Sequence, residues 1–347
     1  MRGLRERLQD GETVVVAEGY LWELERRGLL QFGNFLPEVV LEKPEAVEML
    51  HEEFALAGSD VIEAYTYYAY REMMKLRGRE DEVEKLNRDA LAIARRVADK
   101  YDKLMAGGLS NTPLYKENDP EAQQKIYDMF KEQVEWAVDA GADYIIGETF
   151  GSYGEARIAL QTIKDFGKGV PAVITIAAHF PDCTTDDVPI PEACKRLEDE
   201  GAAVVGINCS RGPDVMMPLL KEIKKVCKGP IAALPVPYRT NDKERTFFSL
   251  KDPKTGKLVY PDNLDCVRCT RIDIRKFAED AKQLGIQYVG LCCGNSPSLT
   301  REVAEVFDKN PPASKYSTSA SQSFVFGDSA KTYGTEMAKM AKFMKGE

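Results

Sequence analysis

Three cysteines that follow strand-like runs are the residues of this sequence best suited to chemistry. Cys292 and Cys293 are adjacent in YVGLCCGNSP, and Cys209 lies near the end of the run AVVGINCS. Three thiolates are enough to hold a zinc ion whose fourth position stays free. Adjacent side chains of a strand point to opposite faces, so both thiols of the pair can reach one ion only if the chain turns there. Gly294, which comes next, allows such a turn.

Two other interpretations of these cysteines stay open at this point. Buried thiols can act simply as small hydrophobic side chains. Cys266 and Cys269 form a CVRC motif, a spacing common in structural zinc sites, and with the Cys292–Cys293 pair they would make a four-cysteine site. The two histidines are too few and too scattered for a histidine-based site, and His51 is predicted to be solvated on a helix.

The elements that must position these thiols alternate along the chain. Short apolar runs, typical of parallel strands covered on both faces, alternate with longer amphipathic segments of helical spacing. Eight such units predict a (β/α)8 TIM barrel, an α/β fold whose eighth strand closes the sheet. The candidate strands are residues 13–19, 60–68, 104–110, 143–150, 171–179, 203–210, 231–237 and 288–294.

Two segments interrupt this alternation. Residues 237–271 form a long polar insertion after strand seven, and residues 311–347 form a tail rich in Ser, Thr and Lys that ends in a Met-rich helix. We therefore predict a barrel domain over residues 1–310 and an oligomerisation arm or frayed tail over residues 311–347.

Bulk properties exclude several function classes. The 347 residues carry a formal charge of −9, so there is no basic surplus for a nucleic-acid partner. No apolar run approaches the roughly 18 residues that span a bilayer. The N-terminus lacks the apolar core of a signal peptide, which predicts a cytoplasmic location and reduced cysteines.

The segments VGINCS and YVGLCCGNSP resemble the two zinc-binding stretches of the homocysteine S-methyltransferase family, with Leu291 in place of a glycine. The likeness extends over most of the chain and is greatest to the betaine–homocysteine methyltransferases. The supporting phrases are LERRG, PEAV, TYYA, AGGLSNTP, GETF and PPAS.

This resemblance implies a zinc-dependent enzyme of methionine biosynthesis. Cys209, Cys292 and Cys293 would hold Zn²⁺, with the homocysteine sulfur at the open position. The zinc-activated substrate thiol, and no protein group, would be the nucleophile. The donor would be glycine betaine, giving methionine and dimethylglycine. Sulfonium donors (dimethylsulfoniopropionate or another thetin, or S-methylmethionine) are an alternative, and so is a barrel that binds zinc or an onium ligand without turnover.

The resemblance also implies roles for residues at the ends of the strands. Those for homocysteine binding are Glu18, Gly19, Glu148 and Asn208. Those for the methyl donor, whose cation prefers aromatic faces, are Tyr20, Phe35, Tyr68, Tyr67 and Thr149, with Trp22 as a further candidate. The implied assembly is a homo-oligomer, a dimer or a tetramer.

The sequence departs from the family pattern at several of these positions. Glu18 comes one residue after Ala17, which stands where an aspartate is usual, and Glu63 replaces a glutamine. Phe35 stands in place of a tryptophan, and Thr149 in place of a tyrosine. These changes leave the thiol chemistry intact, but they do not determine which methyl donor the protein would use.

Overall fold

The computed structural model describes residues 2–31, 33, 36–179, 181–323, 327 and 335–346. Within these residues, eight parallel strands form one sheet. Each predicted strand contains one observed strand, and the predicted TIM-barrel fold is confirmed. The strands are β1 Val14–Ala17, β2 Val61–Glu63, β3 Leu104–Ser110, β4 Tyr144–Phe150, β5 Ala172–Ile176, β6 Val204–Asn208, β7 Ile231–Leu234 and β8 Tyr288–Leu291.

The sheet curls into a nearly closed barrel. The strands follow the order β1-β8-β7-β6-β5-β4-β3-β2, so the two ends of the sheet are β1 and β2. At this seam the Asp60 N–H donates to the Val15 carbonyl at 2.7 Å, and the Val15 N–H donates to the Asp60 carboxylate at 2.8 Å. The carboxylate thus takes the place that a backbone carbonyl would have in a regular ladder.

The strand residues are buried almost throughout, which explains their nearly continuous apolar composition. Inside the barrel, the hydroxyls of Tyr144 and Tyr288 lie 2.8 Å apart in a buried hydrogen bond. Both tyrosines begin their strands, so this pair fills the N-terminal half of the interior. The C-terminal half remains available for a site.

Helices follow the strands and cover the outside of the barrel, as expected for this fold. The Ser152 side chain accepts from the Glu155 N–H and so caps the helix after β4. No helix among the described residues is long and apolar enough to cross a membrane. The helices are α1 Leu4–Gln9, α2 Tyr20–Arg26, α3 Val39–Glu42, α4 Pro44–Ala57, α5 Arg71–Met74, α6 Val83–Tyr101, α7 Pro120–Asp139, α8 Tyr153–Phe166, α9 Ile190–Asp199, α10 Pro213–Val226, α11 Arg271–Leu284, α12 Pro297–Val306 and α13 Thr335–Lys345.

The second strand is shorter than the sequence predicts. The predicted run over residues 60–68 continues in an extended pattern, but β2 ends at Glu63. The chain bends because the Thr66 N–H donates back to the Ala64 carbonyl at 2.8 Å, and Tyr68 has a left-handed φ of 59°. Tyr65, Tyr67 and Tyr68 therefore lie in the loop after β2, at the C-terminal end of the barrel.

The insertion between β7 and α11 is fastened to two other strand ends. The Phe247 N–H donates to the Ser210 carbonyl, just past β6, at 2.9 Å. The Arg268 guanidinium donates to the Gly294 carbonyl, just past β8, at 2.8 Å. The insertion thus covers the rim from which the three cysteines project.

Packing contacts divide the chain into two units, Met1–Pro311 and Pro312–Glu347. The second unit, taken by itself, has two helical turns, Pro312–Tyr316 and Ala320–Gln322, and the helix α13. Phe343 on α13 is 84% exposed. The role of this segment as an oligomerisation arm stays a prediction.

Candidate functional site

The thiols of Cys209, Cys292 and Cys293 meet at the C-terminal end of the barrel. The Sγ atoms of Cys209 and Cys293 lie 3.5 Å apart, and those of Cys292 and Cys293 lie 3.9 Å apart. All three lie within 4.8 Å of one another. Two sulfur ligands of a tetrahedral zinc at about 2.3 Å are separated by roughly 3.8 Å, so this spacing fits one zinc ion.

Unusual backbone conformations aim these thiols at one point. Cys209 and Ser210 have consecutive left-handed φ values of 57° and 58°, which turn the chain sharply after β6. Gly294 has a φ of 92°, and a Cβ there would lie 2.4 Å from the Tyr238 hydroxyl. The turn that the sequence requires after the cysteine pair is therefore present, and only glycine fits it.

The three thiols influence one another's protonation. Hydrogen bonds with Cys292 and Cys293 lower the pKa of Cys209 well below its usual value. The same network raises the pKa of Cys292 and of Cys293. The three thiols therefore titrate as one coupled cluster, and a bound cation would favour its ionised form.

Glu18, Glu63 and Glu148 bring buried carboxyl groups to the same end of the barrel. The Asn208 amide nitrogen donates to Glu18 at 3.2 Å and to Glu148 at 3.0 Å. Oε1 of Glu18 is buried without a hydrogen-bond partner among the described residues. That free acceptor atom suits a ligand that donates hydrogen bonds.

Burial makes these carboxyls hard to ionise. Desolvation raises the pKa of Glu148 to about 7. Desolvation, and then the neighbouring Glu148 carboxylate, raise the pKa of Glu18 and of Glu63 well above their usual values. A bound cation would reverse this effect by favouring the ionised forms. Glu18, Glu148 and Cys292 also form a second group of potential metal ligands within 4.8 Å.

Gly19 lets the β1 and β8 loops approach each other. Its φ is 80°, and a Cβ at this position would lie 2.5 Å from the Cys292 carbonyl oxygen. Any other residue would push the strand-one loop away from the cysteine pair, so the glycine maintains the contact between Glu18 and the thiols.

Most of the predicted site residues line one cavity of about 50 Å³. Predicted residues that line it are Glu18, Gly19, Tyr20, Tyr67, Glu148, Thr149, Cys292 and Cys293, together with Trp22 and Glu63. Ala64, Tyr65 and Leu21 complete the described lining. Thr149 has a left-handed φ of 63°, and its N–H donates to the Asn208 side chain at 3.0 Å.

Other predicted residues lie behind or beside this cavity. Asn208 is fully buried and supports the carboxylates from behind, and Cys209 contacts Cys293. Tyr68 packs beside Tyr67, with their ring centroids 4.4 Å apart and their ring planes tilted by 41°. Phe35 lies outside the described residues.

Two interpretations of the sequence are wrong. His51 is fully buried rather than solvated, its ring packs edge-on against Tyr20 at 4.8 Å, and burial lowers its pKa to about 3. The four-cysteine site does not form: Cys266 is exposed, and neither it nor Cys269 joins a group of three potential ligands among the described residues.

The aromatic residues of the insertion were missed by sequence reasoning. Phe247 packs against Trp22 with ring centroids 5.9 Å apart, and Tyr260 packs against Trp22 at 6.4 Å. The aromatic pair in TFFSL and the tyrosine in VYPD were the available signals. An otherwise polar insertion has little reason to carry such residues unless they pack against something.

Comparisons with known proteins match the chain to one family. The family model described as homocysteine S-methyltransferase matches residues 4–307. Betaine–homocysteine S-methyltransferase 1 of Mus musculus is 35% identical over 328 residues, covering 90% of this chain and 78% of that protein. S-methylmethionine–homocysteine S-methyltransferase BHMT2 of Pongo abelii is 34% identical over 324 residues, covering 90% of this chain and 85% of that protein.

The fold also matches a solved structure. The metallated form of the homocysteine methyltransferase MmuM from Escherichia coli superposes with a TM-score of 0.68 at 17% identity, covering 86% of this chain and 98% of that chain.

Proposed function

Because the chain belongs to the homocysteine S-methyltransferase family, a family of methyltransferases, we propose that it transfers a methyl group from an onium donor to homocysteine with the help of zinc. The observation that carries the proposal is the meeting of three cysteine thiols within 4.8 Å, beside a cavity lined by carboxyl groups and aromatic rings. The products are methionine and the demethylated donor.

The residues present fit a zinc ion. Cys209, Cys292 and Cys293 would hold it, as their sulfur spacing suits tetrahedral coordination. When bound, zinc supplies Lewis acidity that lowers the pKa of a thiol and provides a thiolate at neutral pH. No protein side chain is then required as the nucleophile.

The protein binds and aligns the two substrates. Glu18 and Glu148 receive the homocysteine ammonium group, since Oε1 of Glu18 has an unused acceptor capacity and Asn208 fixes both carboxylates. Gly19 keeps this contact next to the cysteine pair. Holding sulfur, methyl group and leaving atom in line lowers the entropic part of the barrier.

The donor cation binds among aromatic rings. An onium methyl group cannot donate a conventional hydrogen bond, and each good ring contact contributes about 0.5–2 kcal/mol. Tyr20, Tyr67 and Thr149 line the cavity, and Tyr68 packs against Tyr67. Phe35 completes the proposed set. Betaine is our first candidate, and sulfonium donors are the alternative, because relatives named for betaine and for S-methylmethionine are similar to this chain to nearly the same degree.

The test is a donor panel. Purified, zinc-loaded protein receives homocysteine with glycine betaine, dimethylsulfoniopropionate or S-methylmethionine, and mass spectrometry measures methionine. We expect Cys292→Ala and Cys293→Ala to lose both bound zinc and methionine formation, whereas the control Cys266→Ala keeps both. If protein shown to contain zinc makes no methionine with any donor, the proposed methyltransferase activity is refuted, and a barrel that binds zinc or an onium ligand without turnover remains.

Assembly into a dimer or tetramer, with residues 311–347 as the arm, and a cytoplasmic location remain parts of this proposal. Light scattering of the full chain tests the assembly, and a monomer contradicts it.

A further inference from the structure

Two arginines and a tyrosine near the C-terminal end of the barrel have hydrogen-bond donors that the proposed function does not use. Nη1 of Arg26, Nε of Arg268 and the Tyr238 hydroxyl are buried without a hydrogen-bond partner among the described residues. Buried polar groups almost always have a partner, because leaving water without one costs free energy. Each of these three donors therefore lacks an acceptor that its burial calls for.

The three side chains lie together beside the turn that follows the cysteine pair. Tyr238 and Arg268 face each other in an isolated antiparallel bridge, so their side chains share one face. Both contact Gly294, since Arg268 donates to its carbonyl at 2.8 Å and a Cβ there would lie 2.4 Å from the Tyr238 hydroxyl. Arg26 ends α2 and contacts Asp265, three residues before Arg268. We call Arg26, Arg268 and Tyr238 the arginine cluster.

The arginine cluster has more positive than negative charge around it. Arg26 pairs with Asp265, whose side chain is 74% exposed, whereas Arg268 forms no ion pair among the described residues. Burial lowers the pKa of Arg268, and the neighbouring positive charge of Arg26 lowers it further. An anion with two acceptor oxygens would satisfy the unused donors and compensate the unpaired charge, because guanidinium groups bind carboxylates through paired hydrogen bonds.

The arginine cluster lies next to the cavity without lining it. Trp22, one helical turn before Arg26 on α2, lines the cavity, and so does Cys293, the residue before Gly294. The described lining includes carboxyl groups and no cationic side chain. Homocysteine, glycine betaine, dimethylsulfoniopropionate and S-methylmethionine all carry a carboxylate, for which this lining offers no positive partner. The arginine cluster offers one beside the thiols.

We propose that the arginine cluster binds the carboxylate of a substrate. The guanidinium groups of Arg26 and Arg268 and the Tyr238 hydroxyl donate to the carboxylate oxygens, and this contact sets the direction in which the substrate lies beside the thiols. The proposal rests on the proposed function and adds a second recognition element to it, because the site then prefers substrates that carry a carboxylate. The carboxylate comes from homocysteine or from the methyl donor, and separate titrations distinguish the two.

The test titrates zinc-loaded protein by calorimetry with one ligand at a time, so that no turnover occurs. Homocysteine is compared with 3-aminopropane-1-thiol, and glycine betaine with tetramethylammonium, because the second compound of each pair lacks only the carboxylate. We expect Arg268→Gln to weaken binding of homocysteine or of glycine betaine by about tenfold or more, a loss that corresponds to about 1.4 kcal/mol. Binding of the matching compound without a carboxylate should stay within about twofold of the parent.

Tyr238→Phe is a second variant, and it keeps the test valid if Arg268→Gln does not fold. It removes the hydroxyl and keeps the ring, which stacks on Phe247 with ring planes 17° apart. Because the hydroxyl has no partner in the protein, this variant should have a Tm equal to or above that of the parent. It should nevertheless bind the same carboxylate ligand about 2- to 10-fold more weakly. A hydroxyl that only supported the fold would lower Tm and leave binding unchanged.

Arg95→Gln is the matched control. Arg95 is a half-buried arginine on α6 that donates to the Gly141 carbonyl at 3.3 Å, and its Nε is also buried without a partner. It already forms ion pairs with Asp99 and Asp143, and Asp143 precedes β4 at the opposite end of the barrel. Its replacement should leave binding of all four ligands unchanged.

Two results overturn the proposal. One is that Arg268→Gln and Tyr238→Phe bind homocysteine and glycine betaine as tightly as the Arg95→Gln control does. The other is that the parent binds neither ligand more tightly than the matching compound without a carboxylate.

Failure of this inference can be told from failure of the proposed function. If the parent makes methionine and Arg268→Gln leaves the KM of homocysteine and of the donor unchanged, the arginine cluster does not bind a substrate carboxylate while the methyltransferase stands. If Arg268→Gln raises the KM of the substrate whose binding it weakens, the inference is supported. If the parent makes no methionine with any donor, the proposed function fails, and calorimetry still decides whether the arginine cluster binds a carboxylate.

Discussion

Replacing Asn208 by alanine is the sharpest test of how the site is held together. Its amide nitrogen donates to the carboxylates of Glu18 and Glu148, and its oxygen accepts from the Thr149 N–H. Asn208 is fully buried at the end of β6, so no solvent can replace these bonds. The side chain thus links strand ends one, four and six.

The expected loss follows from these contacts. Burial makes the carboxyls of Glu18 and Glu148 hard to ionise, and hydrogen bonds between neutral groups contribute about 0.5–1.5 kcal/mol each, so losing both contacts should cost about 2 kcal/mol. At about 2.1 cal/mol/K per residue, the unfolding entropy of a chain of this length is about 0.7 kcal/mol/K, and Tm should fall by about 3 °C. Glu18 and Glu148 would also lose their orientation, and the homocysteine KM should rise by about tenfold or more.

Asn87→Ala is the matched control for this change. Asn87 is another buried asparagine, and its amide donates to the carbonyls of Ala69 and Val83, both at 2.8 Å. Its removal should lower Tm by a few degrees while leaving the homocysteine KM unchanged. Thermal unfolding and steady-state kinetics on both variants decide the matter. Equal homocysteine KM values in the two variants would refute the role of Asn208 in the site.

Two further changes test single residues. Glu18→Gln should raise the homocysteine KM about tenfold and leave the donor KM unchanged. The control is Glu155→Gln, because Glu155 is a buried carboxyl that binds Thr112 away from the cavity. An unchanged homocysteine KM in Glu18→Gln would mean that Glu18 does not bind the ammonium group. The buried His51 has a pKa of about 3, below its unfolded value of about 6.5, so its contribution to stability is complete above pH 6.5 and is lost as the pH falls toward 3. In urea unfolding, the parent should lose about 2 kcal/mol more than His51→Phe between pH 7 and pH 5, and equal losses would contradict the burial of a neutral imidazole.

Local patterns were sufficient to predict the barrel. Parallel strands covered on both faces leave nearly continuous apolar runs, and each of the eight runs contains an observed strand. The end of β2 was placed too late because the tyrosines after Glu63 have high strand propensity. Their bend depends on contacts such as that between the Tyr68 N–H and the Ser110 hydroxyl at 3.0 Å, which no local pattern reveals.

Long-range packing explains the remaining differences. His51 lies on a helical face that the sequence cannot orient, and only the structure shows that it is buried against Tyr20. The insertion has a mostly polar composition, so its contact with Trp22 could not be predicted from the sequence. The cysteine cluster was accessible from sequence because two strand ends of a barrel face the same rim whatever lies between them.

Under the proposed function, the site would separate the positive charges of its two substrates by their chemistry. An ammonium group has N–H donors, and it matches the buried carboxyls of Glu18 and Glu148, which have raised pKa values and gain from a cation. A methylated onium group has no such donor, so it gains more from ring faces than from a carboxylate oxygen. No cationic side chain is present among the described residues that line the cavity, so neither charge meets a competitor there. Under the proposed function, the ammonium group of homocysteine would therefore meet the carboxyls and the donor cation would meet the rings, so that the two positive charges occupy different parts of one cavity beside the thiols.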